Sequence, residues 1–333
     1  MNKITSVKNI SENDWIEYFN LYQELDCRYY PNRYDESNTL ERFKQSINHS
    51  YKDVKGYENY IIKENDLPIG WFYTTTWGDV LYIGFYINST LINKYVFRSI
   101  MTYASVLMNE QNFNYLFTSS YRKTNIDLLK SIDAEVVEEF ISSQIMRSEI
   151  DIKIFNSIID DFKMDDVKFI YCDKVDDCII DSYLKCYNLS FVDLMNLNRI
   201  KLNYEPITKE QIQGSGDNDS VKRIVILINR SNDVIGLSEL YYNKRRKEYS
   251  CNSGFTSVHP DYRGKGIAKY LKAKLYTGLM KEEFEFDRIT TNTLAHNRYI
   301  NIINESLGFK VYDRGFTFRL STLFFKKYLN NIE

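Results

Sequence analysis

The pattern of apolar and polar positions predicts a first half that begins with helices and continues with strands and helices in turn. Through residues 1–50, large apolar side chains recur every three or four positions, which is typical of helices packed on a core. Alternating or continuous apolar runs then predict further elements. Strands are predicted over 59–64, 69–76, 80–87, 115–119 and 135–147, and helices over 91–108 and 124–132.

The second half repeats this order of elements. Strands are predicted over 168–171, 223–228, 234–242, 249–258, 288–291, 310–312 and 316–320, and helices over 178–187, 191–202, 267–279 and 297–307. The repeat indicates an internal duplication. We therefore expect a mixed α+β protein of two tandem domains, each with a mixed central sheet flanked by helices. The expected boundary lies in the acidic segment 149–166 and gives domains of residues 1–161 and 162–333.

Composition is that of an ordinary globular protein. The 333 residues are 44% hydrophobic and 26% charged, which is enough for two domains of roughly 100–200 residues each. The net charge of −2 argues against nucleic-acid binding, which requires a basic surface. The cysteine and histidine spacings predict neither a disulfide framework nor a metal site. Without a signal segment or a membrane span, we expect a cytoplasmic protein without a membrane partner.

A short basic loop with two glycines joins a predicted strand to a predicted helix. This layout places backbone N–H groups and the positive end of a helix around an anion. Gly264 and Gly266 permit positive φ and close approach by a ligand, and Arg263 and Lys265 add positive charge. The spacing is neither that of a P-loop nor that of a dinucleotide fold. The residues predict a pyrophosphate site of another type; the alternative is an ordinary strand–helix turn.

The loop resembles the acetyl-CoA loop of the GNAT acyltransferase superfamily, through Arg263-x-x-Gly266-x-Ala268 after Val258-x-Pro260. Leu307-Gly308-Phe309 extends the resemblance, which covers about 225–311. The whole chain resembles the tandem GNAT class that includes mycothiol synthase. The resemblance implies acetyl-CoA as donor, a pyrophosphate held by loop N–H groups and a pantetheine arm paired with strand backbone. The implied cofactor-binding residues are Ser257, Val258, Arg263, Gly264, Lys265, Gly266, Ile267, Ala268 and Asn297.

The first half differs at the corresponding position. Its segment 88–95 has no glycine and one basic residue, so bulky side chains would block the approach of a pyrophosphate. We therefore expect residues 1–161 to form a degenerate GNAT-like domain. It would serve as a scaffold and as one wall of the acceptor cleft.

The catalytic groups are less defined. Glu239, within the apolar strand 237–240, is the first candidate for a general base, since a carboxylate facing the core would be desolvated. The alternative is that Glu239 points to solvent. Asn304 occupies the position where the resemblance implies a tyrosine that protonates the leaving thiolate, so the acid is unassigned. Asn297 is a good helix cap whatever the function.

The sequence thus predicts an N-acetyltransferase that moves an acetyl group from acetyl-CoA to a primary amine by direct attack on the thioester. The acceptor would be a small molecule or a peptide, and the protein a monomer or homodimer. One alternative is a non-catalytic acyl-CoA-binding or regulatory module, which an empty acid position would suit. The other is an acyl or aminoacyl transferase with a different donor.

Overall fold

The computed structural model describes residues 3–29, 39–49, 56–77, 80–87, 94–197, 206–213, 220–243, 250–282 and 284–325. The chain forms two compact units. The first comprises Met1–Glu139 together with Gly315–Glu333, and the second comprises Phe140–Arg314. None of the helices in these described ranges is long and apolar enough to cross a membrane.

The first unit contains a mixed sheet that is antiparallel except for the pair of β4 with β5. Its strands lie in the order β1 (Lys3–Ser6), β2 (Glu58–Glu64), β3 (Leu67–Trp77), β4 (Val80–Ile87), β5 (Tyr115–Ser120) and the last part of β12 (Lys310–Ser321). The helices described in this unit are α1 (Glu12–Tyr29), α2 (Leu40–His49), α3 (Lys94–Glu110) and α4 (Lys123–Ser131). Phe72, Ile100 and Phe318 lie in its core.

The second unit contains a sheet in which β10 and β11 are parallel and the other neighbours antiparallel. The strand order is β6 (Glu135–Met146, from Phe140), β11 (Arg288–Leu294), β10 (Ser250–Val258), β9 (Val234–Asn243), β8 (Ser220–Ile228) and β7 (Lys168–Cys172). The described helices are α5 (Ile152–Asp161), α6 (Ile180–Leu197), α7 (Lys209–Gln213), α8 (Ile267–Met280) and α9 (Arg298–Ser306). Helices α5 and α8 pack with one apolar cluster and α6 with another.

The prediction of an α+β fold with mixed strands flanked by helices is confirmed, while several elements differ from expectation. Lys3–Ser6, expected within a helical segment, is a strand because it pairs with β2. The acidic segment contains α5, whose Phe155 is buried against Tyr276. The helices expected over 178–187 and 191–202 are one continuous helix, α6, which runs without a break from Ile180 to Leu197. Residues 198–202 lie outside the described residues.

The last strand was expected as two pieces and is continuous from Lys310 to Ser321. Residues Phe316–Ser321 pair with β5 over six positions, which keeps this part of the strand extended. The two units also differ from the expected domains, which had their boundary between residues 161 and 162. Residues 140–161 belong to the second unit, and the chain returns to the first unit at Gly315.

Candidate active site

The loop between β10 and α8 has the backbone conformation that its glycines predicted. Gly264 and Gly266 have φ of 76° and 78°. A Cβ on either residue would meet no atom within 4 Å, so open space lies in front of both. Within the described ranges, the backbone N–H groups of 264–268 have no hydrogen-bond acceptor. The loop thus offers unpaired donors at a helix N-terminus, where an anion is favoured.

The two basic side chains of the loop have different surroundings. Arg263 forms an ion pair with Asp193 of α6 at 2.6 Å, and its Nε donates to the carbonyl oxygen of Val258 at 3.0 Å. It therefore holds the loop against α6 and β10. Lys265 is exposed, with its Nζ 5.1 Å from the ring centre of Tyr262. Unlike Arg263, Lys265 forms no ion pair with a carboxylate of the described residues.

Strands β10 and β11 separate along their length. Their described pairing covers Ser250–Asn252 with Arg288–Thr290, after which β11 continues along β6 and β10 continues along β9. A register shift in β10 between Ser253 and Thr256 accompanies the separation. The space between the strands is a cleft of about 220 Å³, lined by Asn252, Ser253, Gly254, Phe255, Thr290, Thr291 and Asn292. An extended ligand can thus approach backbone on the open edge of β10.

Ser257 and Val258 lie beyond this cleft, at the end of β10 that leads to the loop. The Ser257 side chain is buried, and its hydroxyl donates to the carbonyl oxygen of Cys186 at 2.8 Å. The carbonyl oxygen of Val258 accepts from Ser190 Oγ at 3.2 Å as well as from Arg263. Side-chain contacts therefore fix the end of β10. A ligand could pair with the backbone groups of β10 that do not take part in these contacts.

Glu239 on β9 is buried, with 1% of its surface exposed, which is contrary to the solvent-facing alternative. Its Oε1 accepts from the Tyr183 hydroxyl at 2.5 Å and from Lys222 Nζ at 2.7 Å, and its Oε2 from the Tyr241 hydroxyl at 2.8 Å. Burial and then the Glu239 charge raise the pKa of both tyrosines, so the two hydroxyls stay protonated and donate. A Cβ on Gly254, which lines the cleft, would lie 3.2 Å from Glu239 Cβ, so the start of the Glu239 side chain lies beside a residue of the cleft.

A second buried group borders the cleft, and the sequence analysis missed it. Lys272 on α8 is 1% exposed, and its Nζ donates to Ser253 Oγ at 2.9 Å. The Tyr276 hydroxyl donates to the same oxygen at 2.9 Å. Burial lowers the pKa of Lys272 to about 7. The available signal was the spacing of Lys272 and Tyr276, four positions apart and therefore on one helix face.

Two asparagines that the sequence analysis singled out lie at the start of α9 and within it. Asn297 caps the helix, because its Oδ1 accepts from the N–H of Ile300 at 3.5 Å. Asn304 is 3% exposed, and neither atom of its side-chain amide has a hydrogen-bond partner among the described residues. A buried amide without partners is unfavourable, and a bound ligand could supply them.

Part of the predicted site lies outside the described residues. The segment 88–93, where the first half was expected to lack a cofactor loop, is among them. Elsewhere in the described ranges, no group of three His, Cys, Asp or Glu residues could hold a metal ion. The described groups at or next to the cleft are thus the lysine–serine–tyrosine cluster, whose Ser253 lines it, and the Glu239 side chain beside Gly254; the anion loop follows the end of β10.

Residues 186–309 match the acetyltransferase (GNAT) family. The whole fold is similar to a tandem GNAT protein from the clavulanic acid biosynthesis pathway, with a TM-score of 0.72 and 10% identity over 97% of this chain and 99% of that one. A GCN5-related N-acetyltransferase from Sphaerobacter thermophilus has a TM-score of 0.61 at 10% identity over 96% of each chain. N-myristoyltransferase from Saccharomyces cerevisiae with bound myristoyl-CoA has a TM-score of 0.56 at 11% identity, covering 96% of this chain and 82% of that one. No curated protein shows significant sequence similarity to the chain.

Proposed function

We propose that the protein is an acetyl-CoA-dependent N-acetyltransferase, because residues 186–309 match the acetyltransferase (GNAT) family and the whole fold is similar to that of a tandem GNAT protein. The family supports acyl transfer from an acyl-CoA. The acetyl group as cargo and a primary amine as acceptor are the finer parts of the proposal. The observation that carries the proposal is the loop of 264–268. Its two glycines have positive φ and open space in front of them, and its backbone N–H groups are unpaired among the described residues.

Each part of such a donor would have its place in the second unit. The N–H groups of 264–268 and the Lys265 ammonium would hold the pyrophosphate. From Val258 back to Ser253 the strand rises over five residue-to-residue steps, roughly 17 Å at the usual rise of a strand. An extended pantetheine arm could follow this edge and bring its thioester to the cleft. Acyl-CoA supplies an activated acyl group, and the protein supplies position and proton transfer.

Glu239 remains the proposed base. Its three donors fix the carboxylate, and the hydroxyl of Tyr183 or Tyr241 would offer a route for a proton from the amine. Asn297 would contact the donor in addition to capping α9, and the buried amide of Asn304 would find partners on it. The first unit would act as a scaffold that binds no cofactor in the standard way. We further propose a small-molecule or peptide acceptor, no nucleic-acid or membrane partner, cytoplasmic location and a monomer or homodimer.

Calorimetric titration of acetyl-CoA into the protein and into Gly266→Trp tests the proposed donor site. We expect one equivalent to bind to the unchanged protein and none to the variant, because the indole would fill the open space in front of Gly266. Gly308→Ala, at another glycine with positive φ (91°) outside the loop, is the control for backbone strain. Binding that survives in Gly266→Trp, or two equivalents, would place a donor site elsewhere. No binding of acetyl-CoA would overturn the proposal.

A turnover assay distinguishes the enzyme from the alternatives. Release of free thiol from acetyl-CoA and myristoyl-CoA is measured with a panel of primary amines. Saturable release from acetyl-CoA, dependent on one class of amine, is the expected result. Release from the longer donor alone would indicate another acyl transferase. Binding without release for every amine would indicate a non-catalytic module.

A further inference from the structure

Ser253 lies at the point where β10 leaves β11, and it lines the cleft between them. Its hydroxyl oxygen accepts two hydrogen bonds of 2.9 Å each, one from Lys272 Nζ and one from the Tyr276 hydroxyl. A serine oxygen has two acceptor sites and one hydrogen to donate. Both acceptor sites are therefore occupied, and the described residues give the hydrogen of Ser253 no acceptor.

With Lys272 in its ammonium form, this arrangement makes Ser253 a donor rather than a nucleophile. A nucleophilic serine needs a free lone pair and a base that removes its proton, whereas here both neighbours donate to the oxygen. A hydroxyl that accepts two hydrogen bonds is polarised toward donating its own hydrogen. A ligand in the open side of the cleft could accept that hydrogen.

Lys272 is the group that can replace this proton. It is 1% exposed, and no carboxylate pairs with it within the described ranges. Lysine is rarely buried without such a partner. An unpaired buried lysine in contact with a residue of the cleft is therefore a candidate for proton transfer rather than for an ion pair.

We propose that Ser253 donates the proton to the leaving thiolate and that Lys272, behind it, resupplies that proton. The inference rests on the proposed acyl transfer and gives that reaction the acid that Asn304 cannot be. As the nitrogen–carbon bond forms and the carbon–sulfur bond breaks, the electron pair remains on sulfur. The Ser253 hydroxyl proton moves to sulfur, and a Lys272 ammonium proton replaces it on Ser253 Oγ. The neutral Lys272 amine then regains a proton from water.

The acidity of Lys272 suits this role. Burial lowers its pKa to about 7, while a thiol has a pKa of about 8.5. Transfer from the ammonium to the thiolate is therefore favourable. A donor with a pKa near neutral pH also exists in both of its forms under ordinary conditions, which suits repeated turnover.

The test compares Lys272→Met with the unchanged protein, in kcat as a function of pH and in acetyl-CoA affinity by calorimetry. For the unchanged protein we expect kcat to fall as the pH rises above about 7, because the ammonium is lost. In Lys272→Met, kcat should fall by about 100-fold or more and lose this alkaline decline. Acetyl-CoA affinity should change by less than about threefold. Lys274→Met, two residues along α8 with its Nζ over Phe169, is the matched control.

Ser253→Ala is the second variant, should Lys272→Met fail to fold. It should show the same loss of rate and of the alkaline decline, and Ser253→Thr, which keeps a hydroxyl, should recover part of the rate. Unchanged kcat, or a lower kcat with the alkaline decline intact, would overturn the inference while leaving the proposed function in place. Absence of thiol release from the unchanged protein would overturn both.

Discussion

Among the described residues of the second unit, two charged side chains are buried, and they are stabilised in different ways. Glu239 has three hydrogen-bond donors, including the ammonium of Lys222. Lys272 contacts the neutral hydroxyl of Ser253 and the ring of Tyr276. A buried charge with an opposite partner remains charged at modest cost, whereas one without such a partner tends to become neutral. The lysine is thus the residue whose burial links protonation to stability.

We predict that the free energy of unfolding rises between pH 7 and pH 9 because of Lys272. Its pKa is lowered from 10.5 to about 7 in the folded protein, so over this range the unfolded chain binds more protons. Each pH unit then adds up to about 1.4 kcal/mol, or roughly 2 kcal/mol from pH 7 to pH 9. Denaturant titrations of the protein and of Lys272→Met at the two pH values measure the difference.

Lys274→Met is the control for this measurement and should retain the rise. If Lys272→Met and the unchanged protein gained stability in parallel, Lys272 would be charged in the folded protein, and its lowered pKa would be wrong.

At the scale of single elements, most strands and helices follow from local apolar patterns. β4 was predicted at 80–87 and is found at Val80–Ile87, because its residues are buried along nearly the whole strand. β1 was missed because its four residues carry no strong pattern and owe their conformation to pairing with β2. The register shift in β10 that opens the cleft depends on both neighbouring strands, so no local pattern reports it. The loop glycines were predictable, since a positive φ selects glycine directly.

α9 allows its cap to be separated from ligand binding. Asn297→Ala should lower the free energy of unfolding by about 1 kcal/mol, because the N–H of Ile300 loses its acceptor. Asn297→Ser should keep that stability, since serine is an equally good cap. If Asn297 also contacts the donor, calorimetry should show weaker acetyl-CoA binding in both variants. Unchanged affinity in Asn297→Ser would leave the residue a cap alone.

At the scale of the whole molecule, the chain passes from the first unit to the second within β6 and returns within β12. β6 pairs with β11 over seven positions, from Phe140 to Met146. Phe318 and Leu320 of β12 are buried in the core of the first unit. A division of the sequence into two halves places both strands by their position along the chain, and it therefore differs from these two units at the end of each strand.

A fragment of residues 140–314 should consequently fold better than one of residues 162–333. The fragment 162–333 lacks β6, which is the partner of β11, and it lacks the buried Phe155 of α5. At its C-terminal end it carries the apolar residues of β12 without their partner β5. We expect 140–314 to elute as a single compact species and to bind acetyl-CoA, and 162–333 to aggregate. Gel filtration and calorimetry measure both. A well-folded 162–333 beside an aggregated 140–314 would contradict the assignment of these strands.

Because the chain returns to the first unit through β12, the first unit lacks one of its strands until the end of synthesis. The Ser119 hydroxyl of β5 contacts Thr317 of β12, which is 198 residues further along the sequence. At about 5–20 residues per second, the edge of β5 would wait roughly 10–40 s after its synthesis for this partner. During that time an apolar strand edge is open to wrong partners. The ribosome therefore completes the second unit before the first, and early folding of the nascent chain depends on keeping β5 protected.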